Sequence, residues 1–389
     1  MLPGRARLLL AALLLLGGGC RAGGEADASA GSPVSAPADT GLTSLLDRVR
    51  REHGLPAVAA AVVRSDTVLE LAAAGVRRLG APDRVTVDDR FHVGSNAKAM
   101  TATLLAILVE EGRLAWTTRP ADVLPELGDS IHPAYRNVTL EQLLAHRAGV
   151  PAFTSGFATA FLPDSVYERG GRTPAQWRRT FALHVLRSEP EAAPGTRFLY
   201  SNAGYSVAAA MAEAVTGEPW EDLLRARVLR PLGISAGYGW PAAADPAQPW
   251  GHWRKWLRGL RPHDPADDYR LEAFLAPAGD VHLSVTDYAR FLQEHLRGLR
   301  GRDGLLRAAT VRRLHAPTGD YALGWRVQPL AGVRSSAHEG SAGTFHAIAV
   351  VQPERDLAVA VFANAGGEEA AEANRALARQ LLGRHTDRP

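Results

Sequence analysis

Ser95 and Lys98 stand three residues apart in the run Ser95-Asn96-Ala97-Lys98, and the pattern from Ser95 to Glu111 predicts a helix that puts both side chains on one face. A serine hydroxyl is a poor nucleophile until a neighbouring base removes its proton, and a lysine held neutral by burial or nearby positive charge can be that base. The start of a helix adds free N–H groups and partial positive charge where an oxyanion would develop. Lysine usage sharpens the point. Of 44 lysines and arginines, only Lys98 and Lys255 are lysines, and arginine cannot release its proton in a protein. Taken alone, Ser-x-x-Lys also occurs by chance, as a helix cap followed by a surface lysine.

Two further clusters carry polar groups at useful places. Tyr200-Ser201-Asn202 follows Gly195 and directly precedes a helical pattern starting near Gly204, so a phenol and an amide can project from one rigid turn. A phenol beside a cationic lysine can have a lowered pKa and relay protons to and from a leaving group; the plain alternative is a buried tyrosine with a capping asparagine. His338-Glu339-Gly340-Ser341 ends one strand pattern close to Thr344 of the next. That arrangement offers a polar donor, a glycine permitting close backbone approach, and a free N–H at a sheet edge.

The elements that must position these groups follow from periodicity. Leu42, Leu45, Leu46 and Val49 recur at helical spacing until Gly54, and Ala57 to Val63 and Val68 to Gly75 form a hairpin across Arg64-Ser65-Asp66-Thr67. Helical patterns occupy Thr139 to His146, Pro174 to Leu186, Gly204 to Thr216 and Trp220 to Leu229. Strand patterns return at Tyr321 to Val327, Ser335 to Glu339, Phe345 to Val351 and Leu357 to Phe362, and Glu368 to Leu382 closes the chain as a helix. The fold class expected is mixed α/β (α+β). One antiparallel sheet is built from both chain ends (about 42–94 and 275–382) and flanked by the terminal helices, with a mostly helical region (about 95–274) inserted and the site in the cleft between.

Composition excludes some classes. The 389 residues are 46% hydrophobic and 22% charged, ordinary for a globular enzyme, and the net charge of +3 is spread without a basic run of the kind nucleic acid requires. The thirteen histidines form no His-x-x-x-His pair and Cys20 is the single cysteine, so the reading calls for no metal, no cofactor and no disulfide. Residues 1–20 read as a signal segment, with Arg5 and Arg7 before the apolar run Leu8 to Leu16 and then Gly17-Gly18-Gly19-Cys20. Cys20 lies where bacterial lipoprotein signals place a lipid-bearing cysteine, although Gly17 replaces their usual leucine; a lipid anchor and simple release both remain open, and both export the chain to the periplasm or cell envelope. Residues 21–41 have a tether's composition. Trp250, Trp253 and Trp256 among basic residues suggest an aromatic lid, a membrane-facing patch, or an insertion packed on the helical region; the last is preferred.

Together, Ser95 to Lys98, Tyr200 to Asn202 and His338 to Gly340 resemble, in order and spacing, the three motifs of the class C serine beta-lactamases, the related DD-peptidases and the esterases that share their fold. Leu143 to Pro151 and Pro277 to Val281 look similar too, and the resemblance spans roughly residues 42 to 382. It implies a beta-lactamase/transpeptidase-like fold and acylation of Ser95, with Lys98 and Tyr200 sharing base and acid duties. It also implies that Asn202 bonds substrate or orients Lys98, and that the Ser95 and Ser341 N–H groups form an oxyanion hole. His338 and Glu339 depart from the lysine and hydroxyl residue of beta-lactamases, which favours an ester or a peptide over a beta-lactam as substrate. The rival expectation is a non-hydrolysing penicillin- or peptidoglycan-binding module.

Overall fold

The computed structural model describes residues 41–154, 162–167, 172–255, 259–267 and 269–385. The signal segment, the tether with Cys20, and Trp256 lie outside the described residues. The chain begins with helix α1 (Leu42–Glu52), strands β1 (Ala57–Val63) and β2 (Val68–Gly75), and the short strand β3 (Arg90–His92). Helices α2 (Ala97–Glu110), α3 (Pro174–Arg187) and α4 (Asn202–Thr216) follow, with shorter helical turns between them. Strands β4 (Ala236–Tyr238), β5 (His252–Lys255), β6 (Gly259–Pro262) and β7 (Val281–Ser284) lead to α5 (Val285–Leu299). The chain closes with β8 (Arg326–Leu330), β9 (Val333–Ser341), β10 (His346–Gln352), β11 (Leu357–Ala363) and α6 (Glu368–Arg384).

Six strands form one antiparallel sheet in the order β2-β1-β11-β10-β9-β8, so the two ends of the sequence meet where Val58 pairs with Ala363 and Ala61 with Ala360. Strand alternation divides its side chains between two cores. Val58, Ala60, Val62, Val359 and Val361 pack under α1 and α6, whereas Ala59, Ala61, Val63, Ala360 and Phe362 face α5 and the helical region. A sheet buried on both faces explains why β1, β10 and β11 read as unbroken apolar runs. α1 lays Leu42, Leu45, Leu46 and Val49 on the sheet and ends at Gly54, whose φ of 63° lets the chain turn into β1.

The middle of the chain holds more strand than its sequence pattern suggested: β3, β7 and β4 make a three-stranded sheet, and β5 and β6 a hairpin. The last edge strand also shifts, since β8 starts at Arg326 rather than Tyr321. Tyr321 to Trp325 instead form a tight turn, with Ala322 N–H donating to Trp325 O over 2.7 Å. The tryptophan segment packs as an insertion, but against the sheet: His252 N–H donates to Thr344 O at the β9–β10 turn, and Trp253 lies 5.1 Å from the ring of Tyr269.

Candidate active site

A 3₁₀ turn, Gly94–Asn96, carries Ser95 into α2. Asn96 fixes that turn: its Nδ2 donates to Val93 O (3.1 Å) and Ala347 O (3.2 Å), and its Oδ1 accepts from Tyr288 Oη (3.2 Å). α2 is apolar all round and buried from Ala97 to Leu108, so Lys98 enters the interior one turn after Ser95 and is 0% exposed. Its Nζ lies 3.1 Å from Ser95 Oγ, 2.7 Å from Asn202 Oδ1 and 2.7 Å from Ala278 O. Burial holds its pKa well below the ordinary lysine value. Asn202 is held in turn by its Nδ2, which donates to Phe153 O over 2.8 Å.

Tyr200 ends an irregular stretch just before α4, where Ser201 caps the helix by accepting from Gly204 N–H. The phenol interacts with the Ser95 hydroxyl, and the Lys98 amine sits 4.8 Å from the centre of its ring. Its ionisation differs from the sequence expectation: burial outweighs the bond to Ser95 and pushes the phenol up to about 12, so Tyr200 is protonated at neutral pH.

From the other side β9 brings Gly340 and Ser341 against the 3₁₀ turn. A side chain on Gly94, at φ 52°, would collide with Ser341 N, and one on Gly340 would collide with Val93 O and Ser95 N. Both positions therefore require glycine, and their close approach brings the two backbone N–H groups of Ser95 and Ser341 together at one edge of the cleft. Ser95, Asn202 and Ser341 line a cavity of about 500 Å³ that Phe153, Tyr269 and Leu275 also line.

His338 occupies a different setting from the one its motif suggested. It is 6% exposed; Tyr321 Oη–H donates to its Nε2 over 2.9 Å and its Nδ1–H donates to Glu339 O over 2.8 Å. Burial and the nearby Lys98 push its pKa down to about 3, so it is neutral and both nitrogens are committed. Glu339 turns away toward α6, where Arg375 grips it bidentately at 2.8–3.0 Å. The cation beside Tyr200 is instead Arg326, which sequence reasoning did not single out among 42 arginines. It lines a second cavity, of about 390 Å³, with Tyr200, Tyr321 and His338, and makes no ion pair with a described residue. Among the described residues no three metal-ligating side chains cluster.

The beta-lactamase family profile matches residues 42–383. The chain belongs to the beta-lactamase family. It is 31% identical over 335 residues to penicillin-binding protein 4 of Amycolatopsis lactamdurans, covering 82% of this chain and 84% of that one. To the esterase EstB of Burkholderia gladioli it is 32% identical over 204 residues, covering 50% and 49%. An octameric penicillin-binding protein homologue from Pyrococcus abyssi has the same fold, with a TM-score of 0.70 at 24% identity over 89% of this chain and 78% of that one. Family membership brings serine-hydrolase-type activity with it.

Proposed function

We propose that Ser95 is the nucleophile of an exported acyl-transferring hydrolase, with a leaving group that bears a carboxylate. The observation that carries this reading is the set of partners around Lys98 Nζ. A neutral amine has two N–H bonds and one lone pair; Asn202 Oδ1 and Ala278 O can only accept, so the two N–H bonds go to them and the lone pair is left facing Ser95 Oγ–H. Lys98 then takes the hydroxyl proton as Ser95 Oγ bonds to the substrate carbonyl, and the developing oxyanion accepts from the Ser95 and Ser341 N–H groups. As the tetrahedral carbon expels its leaving group, protonated Tyr200 supplies the proton and recovers one from the Lys98 ammonium. Water repeats the sequence on the acyl-enzyme.

The leaving group lies on the Tyr200 side, where Arg326, a cation with no ion-pair partner among the described residues, is able to hold a carboxylate bidentately. That favours peptides or esters ending in a free carboxylate over neutral esters, and leaves no role in charge recognition for His338. The test is labelling with a serine-directed fluorophosphonate and with a chromogenic ester: wild type acylates and turns over, and Ser95→Ala does neither. Acylation without deacylation would replace the hydrolase by a capture module, and equal labelling of Ser95→Ala would remove Ser95 from the reaction. Export rests on the signal-like segment 1–20, and membrane fractionation of Cys20→Ser tests the lipid anchor on that cysteine, the anchored form predicting release of the variant.

A further inference from the structure

Nothing in regular secondary structure holds Tyr200, yet its neighbours on both sides are tied to one residue. Leu199 N–H donates to His146 O over 2.8 Å, and Ser201 N–H donates to His146 Nδ1 over 3.1 Å. The imidazole itself packs on the phenol, with ring centroids 4.3 Å apart, and is flanked by Phe198 and Tyr321 at 5.7 and 4.6 Å. His146 adopts a φ of 57°, uncommon for a residue with a side chain. This is the conformation in which its carbonyl and its ring both reach the 199–201 stretch.

Packing alone does not account for a histidine here. Because Nδ1 accepts from Ser201 N–H it carries no hydrogen, so the ring proton resides on Nε2, which is buried without a hydrogen-bond partner among the described residues. A phenylalanine would fill the same space without stranding a donor. What only the histidine supplies is the Nδ1 acceptor beside Tyr200.

We infer that His146 is a positioning residue for the proton-transferring Tyr200, fixing the backbone on both sides of it and the face of its ring. The inference rests on the role given to Tyr200 above, and a double-mutant cycle on the full chain separates the two. Pre-steady-state acylation by butyryl p-nitroanilide, whose nitrogen must be protonated to depart, is measured for wild type, His146→Ala, Tyr200→Phe and the double variant. His146→Ala is expected to slow acylation about tenfold or more with little change in the apparent dissociation constant. In the Tyr200→Phe background the same change is expected to cost less than about twofold, since the proton it positions has gone. His146→Asn, whose Oδ1 can accept from Ser201 N–H and which tolerates positive φ, is expected to recover most of the rate. An equal loss in both backgrounds, or His146→Asn as slow as His146→Ala, would overturn the inference. Wild-type acylation by Tyr200→Phe would overturn the role of Tyr200 and the inference with it.

Discussion

Acylation is expected to switch on with the deprotonation of Lys98, a group that burial holds well below the ordinary lysine range. The rate of acylation therefore rises with pH through that lowered pKa and reaches its plateau below the range in which an ordinary lysine titrates, with no fall attributable to Tyr200 until about 12. Lys98→Arg keeps a cation but no base; acylation drops by about 10²–10⁴-fold and the pH dependence disappears, as a stopped-flow burst assay over pH 5–10 would record. Arg326→Gln tests the cation beside Tyr200. It is expected to lower kcat/KM for carboxylate-terminated substrates about tenfold relative to a neutral ester of the same acyl group, and an unchanged ratio would return carboxylate recognition to other residues. The Ser95–Lys98 pair was legible in the sequence because a helix turns residues three apart into neighbours. The protonation of Tyr200 and the neutrality of His338 were not, since both come from burial that only the fold creates, Tyr200 under His146 and Tyr321, and His338 under Tyr321 and Tyr200. Arg326 is one exposed arginine in an arginine-rich chain, and only the fold sets it beside Tyr200.

At the scale of elements, the meeting of β9 with the 3₁₀ turn defines the cleft edge, and it depends on two backbones touching. Gly340→Ala is expected to push Ser341 away from Ser95, lowering acylation by about 10²-fold, the size of losing one oxyanion donor, while circular dichroism keeps the native signature. Full activity in that variant would show that the strand end can shift without disturbing the N–H pair. Strand positions were readable here because β1, β10 and β11 are buried on both faces and run apolar without interruption. The boundaries of β8 were not, because Tyr321 and Trp325 look like strand residues but are used to cover His338 and the buried His295–His315 pair. The stretch expected as one helix from Trp220 to Leu229 splits into α-helix to Leu224 and a wider π turn from Arg225 to Leu229, a distinction periodicity cannot make.

For the whole molecule, burial of histidine sets an acid limit. His252 and His282 are pushed down to about 4 and His295 and His338 to about 3, while His146 and His315 are held well below the ordinary value, in every case chiefly by burial. A histidine that stays neutral when folded but binds a proton when unfolded costs stability as pH falls from about 6.5 toward its folded pKa, by about 1.4 kcal/mol per pH unit. Together six such groups cost an amount comparable with the roughly 5–15 kcal/mol that holds a domain together, so urea unfolding is expected to show a steep loss of stability between pH 6.5 and 5. Stability flat across that interval would mean that water reaches these rings. The pairing of β1 with β11 carries a different consequence, for the order in which the molecule can be made. Its two halves are about 300 residues apart, so the central sheet cannot form until nearly the whole chain is available, and such distant pairings are slow to find. Ser95 and Lys98 leave the ribosome early but acquire Ser341 and its neighbouring glycine only at the end. Fragments 41–300 and 301–385 are accordingly expected to be inactive apart and to regain acylation when refolded together. A chain that folds only when its last strands arrive also stays threadable for longer, which the export proposed above would need.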